Sequence, residues 1–416
     1  MNGLLRYLET SYTAYHAVEN GVKQLLENGF LPLREGEEWN LTEGGKYFVI
    51  RGGSALIAFC LGRGSGYKIV ASHTDSPCLK LKENPVTATE GFYKLNVEPY
   101  GGGIWYSFFD RPLKLAGRVV REKDGALVSE TYESDFLLTI PSLAVHMQRD
   151  VNEKFAPNPQ IDLLPLLGMS ETDFNALLGN PLSYDLYAVP AETPYVSGIS
   201  GEFVSSPRID NLTSAYSSLR ALIESEPSAG VSMAACLNHE EIGSRTREGA
   251  GGDFLKTTLE RIALSLGKTH EEYCREVSAS FLVSLDNAHS LHPNHPEKCD
   301  PSNRVKLGGG VVLKGHAGGA YTTDALSSAV MKKIMQGAGV KYQTFYNRSD
   351  MRSGGTLGAI SLSQVSVLSA DLGLAQLAMH SAVETIAKSD YAELEKCLKA
   401  FYESGIAING DTATVK

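Results

Sequence analysis

The chain has 416 residues, 43% of them apolar and 21% charged, with a net charge of −10. This length buries a large core and predicts more than one domain, and the negative charge argues against nucleic acid or an anionic membrane as the main partner. No stretch approaches the roughly 20 apolar residues that cross a bilayer, residues 1–10 are too polar for a signal peptide, and the six cysteines lack any CxxC pair, so a cytoplasmic protein with reduced thiols is expected.

In chain order, residues 1–83 read as helix and then strands. Residues 47–51 and 55–59 are neighbouring strands joined by Gly52-Gly53, and residues 67–71 are a short apolar strand that delivers Ser72-His73-Thr74-Asp75-Ser76-Pro77. From 86 to 204 the texture becomes alternating, as in 114–120 and 136–140, with turns at Gly101-Gly102-Gly103 and Asp124-Gly125. From about 205 onward, helical and strand patterns alternate again. Ser205 to Asn211 lead into a helix over 212–224, for which Asp210 and Asn211 are the expected caps. The buried strand 231–237 ends in Asn238-His239-Glu240-Glu241-Ile242-Gly243-Ser244, and 281–285 delivers Asp286-Asn287-Ala288-His289. Residues 376–381, ending in Met379-His380-Ser381, are expected to open another helix. The pattern predicts an α/β catalytic domain made of residues 1–83 and 205–416, interrupted by a β-rich insertion at 84–204.

Two adjacent carboxylates, Glu240 and Glu241, leave the end of a buried strand. Neighbouring carboxylates repel unless a cation or a proton separates their roles. One can bind a metal while the other moves protons, the division that metal-assisted hydrolysis needs. The other ligand-type residues also follow strands or precede helices, where active sites of open α/β sheets form. Histidine, aspartate and glutamate without cysteine suit Zn²⁺, and Co²⁺ or Mn²⁺ as well. Such a set serves two metals if one carboxylate bridges them, and a free glutamate beside them takes the proton of the attacking water. Asp75, two residues after His73, is placed to accept a hydrogen bond from that ring.

Each residue alone has a plainer reading. A lone acidic pair is a solvated loop end, and Asp210 and Asn211 are helix caps. His289, His292 and His295 lie among Pro293 and Pro296, an irregular loop with one functional histidine rather than three ligands. Gly308-Gly309-Gly310 and Gly354-Gly355 lack the Lys-Ser/Thr that a phosphate loop needs. The constellation, rather than any member, carries the chemistry.

Several spaced segments resemble the M18 metallo-aminopeptidases, the aspartyl aminopeptidase family. They are His73-Thr74-Asp75-Ser76-Pro77-Cys78, Leu143 to Arg149 with His146, Pro207-Arg208-Ile209-Asp210-Asn211, Glu240-Glu241-Ile242-Gly243-Ser244, Asp286-Asn287-Ala288-His289 with His292-Pro293-Asn294, and Met379-His380-Ser381. The resemblance implies a mixed-sheet α/β di-zinc peptidase domain with an inserted β-rich dimerisation domain. It implies one metal on His73, Asp210 and Asp286 and another on Asp210, Glu241 and His380, with Asp210 bridging. Glu240 would be the general base and Asp75 the residue orienting His73. His289, Lys314 and Tyr321 would contact substrate, and His146 would reach a neighbouring subunit's site. The family's homo-oligomer is a dodecamer built from dimers, acting on small peptides.

Two segments depart from the family pattern: Asp350 to Thr356, and Ala382-Val383 before Glu384. An acidic first residue needs a cation in its pocket, for which Lys314, Arg348 and Arg352 are the candidates. A di-metal deacylase or carboxypeptidase is the rival enzyme, and a non-catalytic assembly protein of the same fold the rival outside catalysis.

Overall fold

The computed structural model describes residues 1–226 and 229–416. Its largest sheet is mixed and nine-stranded. From edge to edge the strands are Leu31–Leu33, Lys46–Arg51, Ala55–Leu61, Val231–Leu237, Tyr67–His73, Phe281–Leu285, Leu368–Gly373, Val311–Lys314 and Tyr342–Phe345. The central four, from Val231–Leu237 to Leu368–Gly373, are mutually parallel. Helices cover both faces, which is why these strands read as continuous apolar runs.

Successive side chains of a strand serve opposite cores. Val70, Ala234 and Val283 face a core shared with the helices Asn2–Thr10, Ala14–Glu27, Ile209–Glu224, Ala325–Gly337 and Lys388–Glu403. Ile69, Ala71, Met233, Ala235 and Leu282 face the helices Phe254–Ser265 and Leu357–Leu362.

A second, six-stranded sheet is antiparallel throughout, in the order Ala126–Leu138, Leu113–Lys123, Ser183–Pro190, Cys78–Thr89, Phe92–Tyr100, Leu166–Gly168. It has its own core of Leu79, Leu95, Val97, Leu113, Leu115 and Leu186. Asp124 and Gly125 turn its longest hairpin with φ of 52° and 77°, the two positive values of a tight hairpin turn. A third sheet joins Tyr195–Ser197, Phe203–Ser206, Glu384–Ala387, Ala375–Leu377 and Ala288–His289. Among the described residues, no helix is long and apolar enough to cross a membrane.

Candidate metal centre

The parallel register sets three strand ends side by side. Leu237 pairs with His73 and Ser284 with Ala71, so His73, Glu240-Glu241 and Asp286 emerge at one edge of the large sheet. Thr74 binds the ends together, donating its N–H and its hydroxyl to the Leu237 carbonyl at 2.8 and 3.0 Å. After Leu237 the chain makes a short 3₁₀ turn, Glu240–Ile242. The Asp75 carboxylate holds that turn, accepting the N–H of Glu240 on Oδ1 at 3.1 Å and of Glu241 on Oδ2 at 3.2 Å.

The opposite wall comes from the third sheet and the helix Ile209–Glu224. Asp210 and Asn211 do not cap that helix through their side chains; both carry non-helical backbone angles at its kinked start. The Asn211 amide instead donates to the Leu285 carbonyl at 2.8 Å, leaving the Asp210 carboxylate turned into the site. Nor does the His380 segment open a helix. Ala375–Leu377 is a strand, His380 sits in the following loop with φ of 67°, and strand Glu384–Ala387 precedes the helix Lys388–Glu403. Pairing of Ala375–Leu377 with Ala288–His289 and Glu384–Ala387 captures this segment as sheet. The buried Glu384 carboxylate ties the two parts of this wall together, accepting the Asp210 N–H at 2.9 Å and the His380 N–H at 2.6 Å.

Among the described residues three groups of ligand atoms result, each within 4.8 Å: His73, Asp210 and Asp286; Asp210, Glu241 and His380; and His73, Glu240 and Glu241. In the first, His73 Nε2 lies 3.5 Å from Asp210 Oδ1 and 3.6 Å from Asp286 Oδ1. In the second, His380 Nε2 lies 3.5 Å from Asp210 Oδ2 and 3.4 Å from Glu241 Oε1. The two oxygens of Asp210 thus face different groups. These separations are too long for good hydrogen bonds, but tetrahedral zinc with bonds of about 2.0–2.2 Å sets its ligand atoms roughly 3.4 Å apart. Asp210 Oδ1 and Glu241 Oε1 are buried without a hydrogen-bond partner, a costly state that a cation would relieve. The donor set and its spacing fit zinc.

Electrostatics point the same way. Burial, with Asp286, Glu241 and Asp75 nearby, pushes Glu240 up to about 8 against the pull of His73. Burial also raises Glu241, to about 7, although His380 opposes it. His380 is disfavoured as a cation by burial, yet Asp210 and Glu241 outweigh this and hold it up at about 12. Without a metal, protons do the work of a cation between these carboxylates.

The ring of His73 donates from Nδ1 to the main-chain carbonyl of Asp75 at 3.1 Å, with the Asp75 carboxylate at 3.3 Å, so both oxygens orient it. Lys314 is buried 3.8 Å from Asp286, donates to the Asn287 carbonyl at 2.9 Å and stands over the Tyr321 ring at 5.0 Å. His289 ends the short strand beside Gln376, its ring 6.4 Å from that of Phe345. His146 lies apart, exposed in the segment after Ala126–Leu138; among the described residues it has no hydrogen bond or ion pair with either group. Arg348 is paired with Asp350 at 2.6 Å.

Three contributors carry no advance signal of their role: Tyr100, whose hydroxyl donates to Asp75, Gly102, whose carbonyl meets His380, and Glu384. The glycine run at 101–103 reads only as a turn, and a tyrosine at a strand end reads as core.

Comparison with known proteins identifies the family. The model of the family Aminopeptidase I zinc metalloprotease (M18) matches residues 7–178 and 178–402. The probable M18 family aminopeptidase 2 of Clostridium acetobutylicum is 40% identical over 421 residues, covering 96% of this chain and 97% of the relative. A chain of the cryo-EM structure of the Ape4 and Nbr1 complex superposes with a TM-score of 0.92 at 34% identity, over 96% of this chain and 84% of that one. The mApe1 dodecamer of S. cerevesiae superposes at 0.81 with 27% identity, over 97% and 96% of the two chains. With a matching family model over nearly its whole length, the chain belongs to the M18 family of zinc metalloproteases and is a metallo-aminopeptidase, a hydrolase of peptide bonds.

Proposed function

We propose that the enzyme removes amino-terminal residues from peptides with two zinc ions per subunit, one on His73, Asp210 and Asp286 and the other on Asp210, Glu241 and His380. The observation that carries this reading is the placement of Asp210, with Oδ1 toward His73 and Oδ2 toward His380. When bound, zinc supplies Lewis acidity, polarising the scissile carbonyl and acidifying water.

The chain's own residues do the rest. Glu240 also groups with His73 and Glu241, but it is the carboxylate of the pair that the two metals of this reading leave free, so it takes the proton from the attacking water and returns it to the leaving amine. Asp75 fixes the ring of His73 and, through two N–H groups, the path of Glu240 and Glu241. The free amino terminus of the substrate binds among the carboxylates, which suits an amine and not a terminal carboxylate. Lys314, His289 and Tyr321 contact the substrate, and Lys314 supplies the cation for an acidic first residue.

In this reading the six-stranded sheet belongs to an inserted dimerisation domain, and the assembly is a dodecamer built from dimers with His146 reaching a neighbouring site. Exposed Leu143, Val145 and Met147 around His146 support an interface there. A cytoplasmic location accords with six free cysteines, four of them buried.

The test is hydrolysis of aminoacyl chromogenic substrates by metal-loaded enzyme, with Glu240→Gln as control. Fast cleavage after aspartate or glutamate supports the whole reading. Cleavage after neutral residues alone keeps the mechanism and discards the acidic pocket. No cleavage with both metals bound favours a deacylase.

A further inference from the structure

We infer that residues 100–102, at the end of a strand of the six-stranded sheet, position both metal histidines, with Tyr100 as the positioning side chain. The inference rests on the reading that His73 and His380 hold zinc. Tyr100 closes the strand Phe92–Tyr100 and is buried. Its hydroxyl donates to Asp75 Oδ2 at 2.8 Å. That carboxylate lies 3.3 Å from His73 Nδ1, beside the Asp75 main-chain carbonyl that Nδ1 meets at 3.1 Å, and accepts the N–H groups of Glu240 and Glu241. Two residues on, the Gly102 carbonyl accepts His380 Nδ1–H at 2.9 Å, and Ile104 N–H donates to the His380 carbonyl at 2.8 Å. One short segment therefore fixes the outer nitrogen of His380 directly and that of His73 through Asp75. Each ring then presents Nε2 to the centre.

The backbone here must come close. Gly101 has φ of 73°, and a Cβ on it would stand 3.0 Å from Glu241 Cβ, so the segment lies against a third ligand as well. Outer-shell partners orient metal ligands and raise their basicity. Because the segment is continuous with the antiparallel sheet, the seating of that sheet sets the geometry of the centre.

Tyr100 also packs its ring edge-on against Tyr187, at 5.6 Å and 78°, so a packing role must be separated from the hydroxyl's role. Tyr187→Phe removes a hydroxyl from the same aromatic cluster without touching Asp75. Zinc affinity of the full-length protein is measured by competition with a chromogenic chelator, and kcat and KM are taken at saturating zinc. Tyr100→Phe is expected to weaken zinc binding about 10–100-fold, the usual effect of losing an outer-shell partner. Its kcat falls while KM holds, excess zinc restores occupancy, and Tyr187→Phe keeps wild-type affinity. Unchanged zinc affinity in Tyr100→Phe, or an equal loss in Tyr187→Phe, would overturn the inference. If His73→Ala leaves the zinc affinity of the wild-type protein unaltered, the zinc assignment itself falls, and this inference with it.

Discussion

Glu240 and Glu241 are adjacent in sequence yet placed differently, since only Glu241 lies beside His380. Glu240→Gln removes a proton acceptor and leaves whole the two ligand groups assigned to the proposed zinc ions. Metal analysis should find wild-type zinc content while kcat drops about 10²–10⁴-fold, the usual worth of a general base; near-normal turnover would refute the role. Asp210→Asn should lower zinc at both positions together, because its two oxygens serve both groups. One full site after that substitution would contradict bridging.

The same residues set a pH dependence. In the metal-free protein Glu240 and Glu241 stand at about 8 and about 7, and His380 at about 12. All three are raised above their unfolded values, so the folded state binds protons that the unfolded state releases. Their contribution is full at low pH and is lost as pH rises. Asp210 is held low, despite burial, by His380 and His73, so its contribution is lost only in acid, below this range. Between about pH 5 and pH 8, metal-free protein should therefore melt at lower temperature as pH rises. Zinc replaces those protons, so the gap in Tm between loaded and metal-free protein should widen over the same range. A gap independent of pH would show that protons and metal do not compete.

At the scale of elements, the central parallel strands were legible because burial on both faces leaves an uninterrupted apolar run with ligand residues at its end. Val231–Leu237 and Phe281–Leu285 have the expected limits. The 376–381 stretch reads as helix because its apolar residues suit either helix or strand, and pairing of Ala375–Leu377 with distant Ala288–His289 and with Glu384–Ala387 decides for sheet. That third sheet brings Glu384 under both Asp210 and His380. Glu384→Gln replaces an acceptor by an amide N–H facing one of those backbone N–H groups. Zinc affinity should fall about 10–100-fold, measured by chelator competition; an unaltered value would reduce Glu384 to a packing role.

At the scale of the whole molecule, Met147 is 76% exposed on the segment that carries His146. Met147→Glu should dissociate the assembly, as light scattering after gel filtration would reveal, and activity should fall with it if His146 acts across subunits. A fully active smaller species would show that each subunit is self-sufficient. Residue chemistry supplied the candidate ligand types, because several carboxylates and imidazoles gathered after strands suit a cation in a way that no one of them does alone. Sequence also carried the alternation that marks the long β-rich middle. Tertiary structure alone decided how Tyr100, Gly102 and Glu384 join the centre. Their contacts join elements distant in sequence, from Tyr100 to Asp75, Gly102 to His380 and Glu384 to Asp210, and their partners are fixed only when those elements meet. Periodicity reports which face of a strand is buried; it does not report which distant carbonyl or hydroxyl a buried histidine will meet.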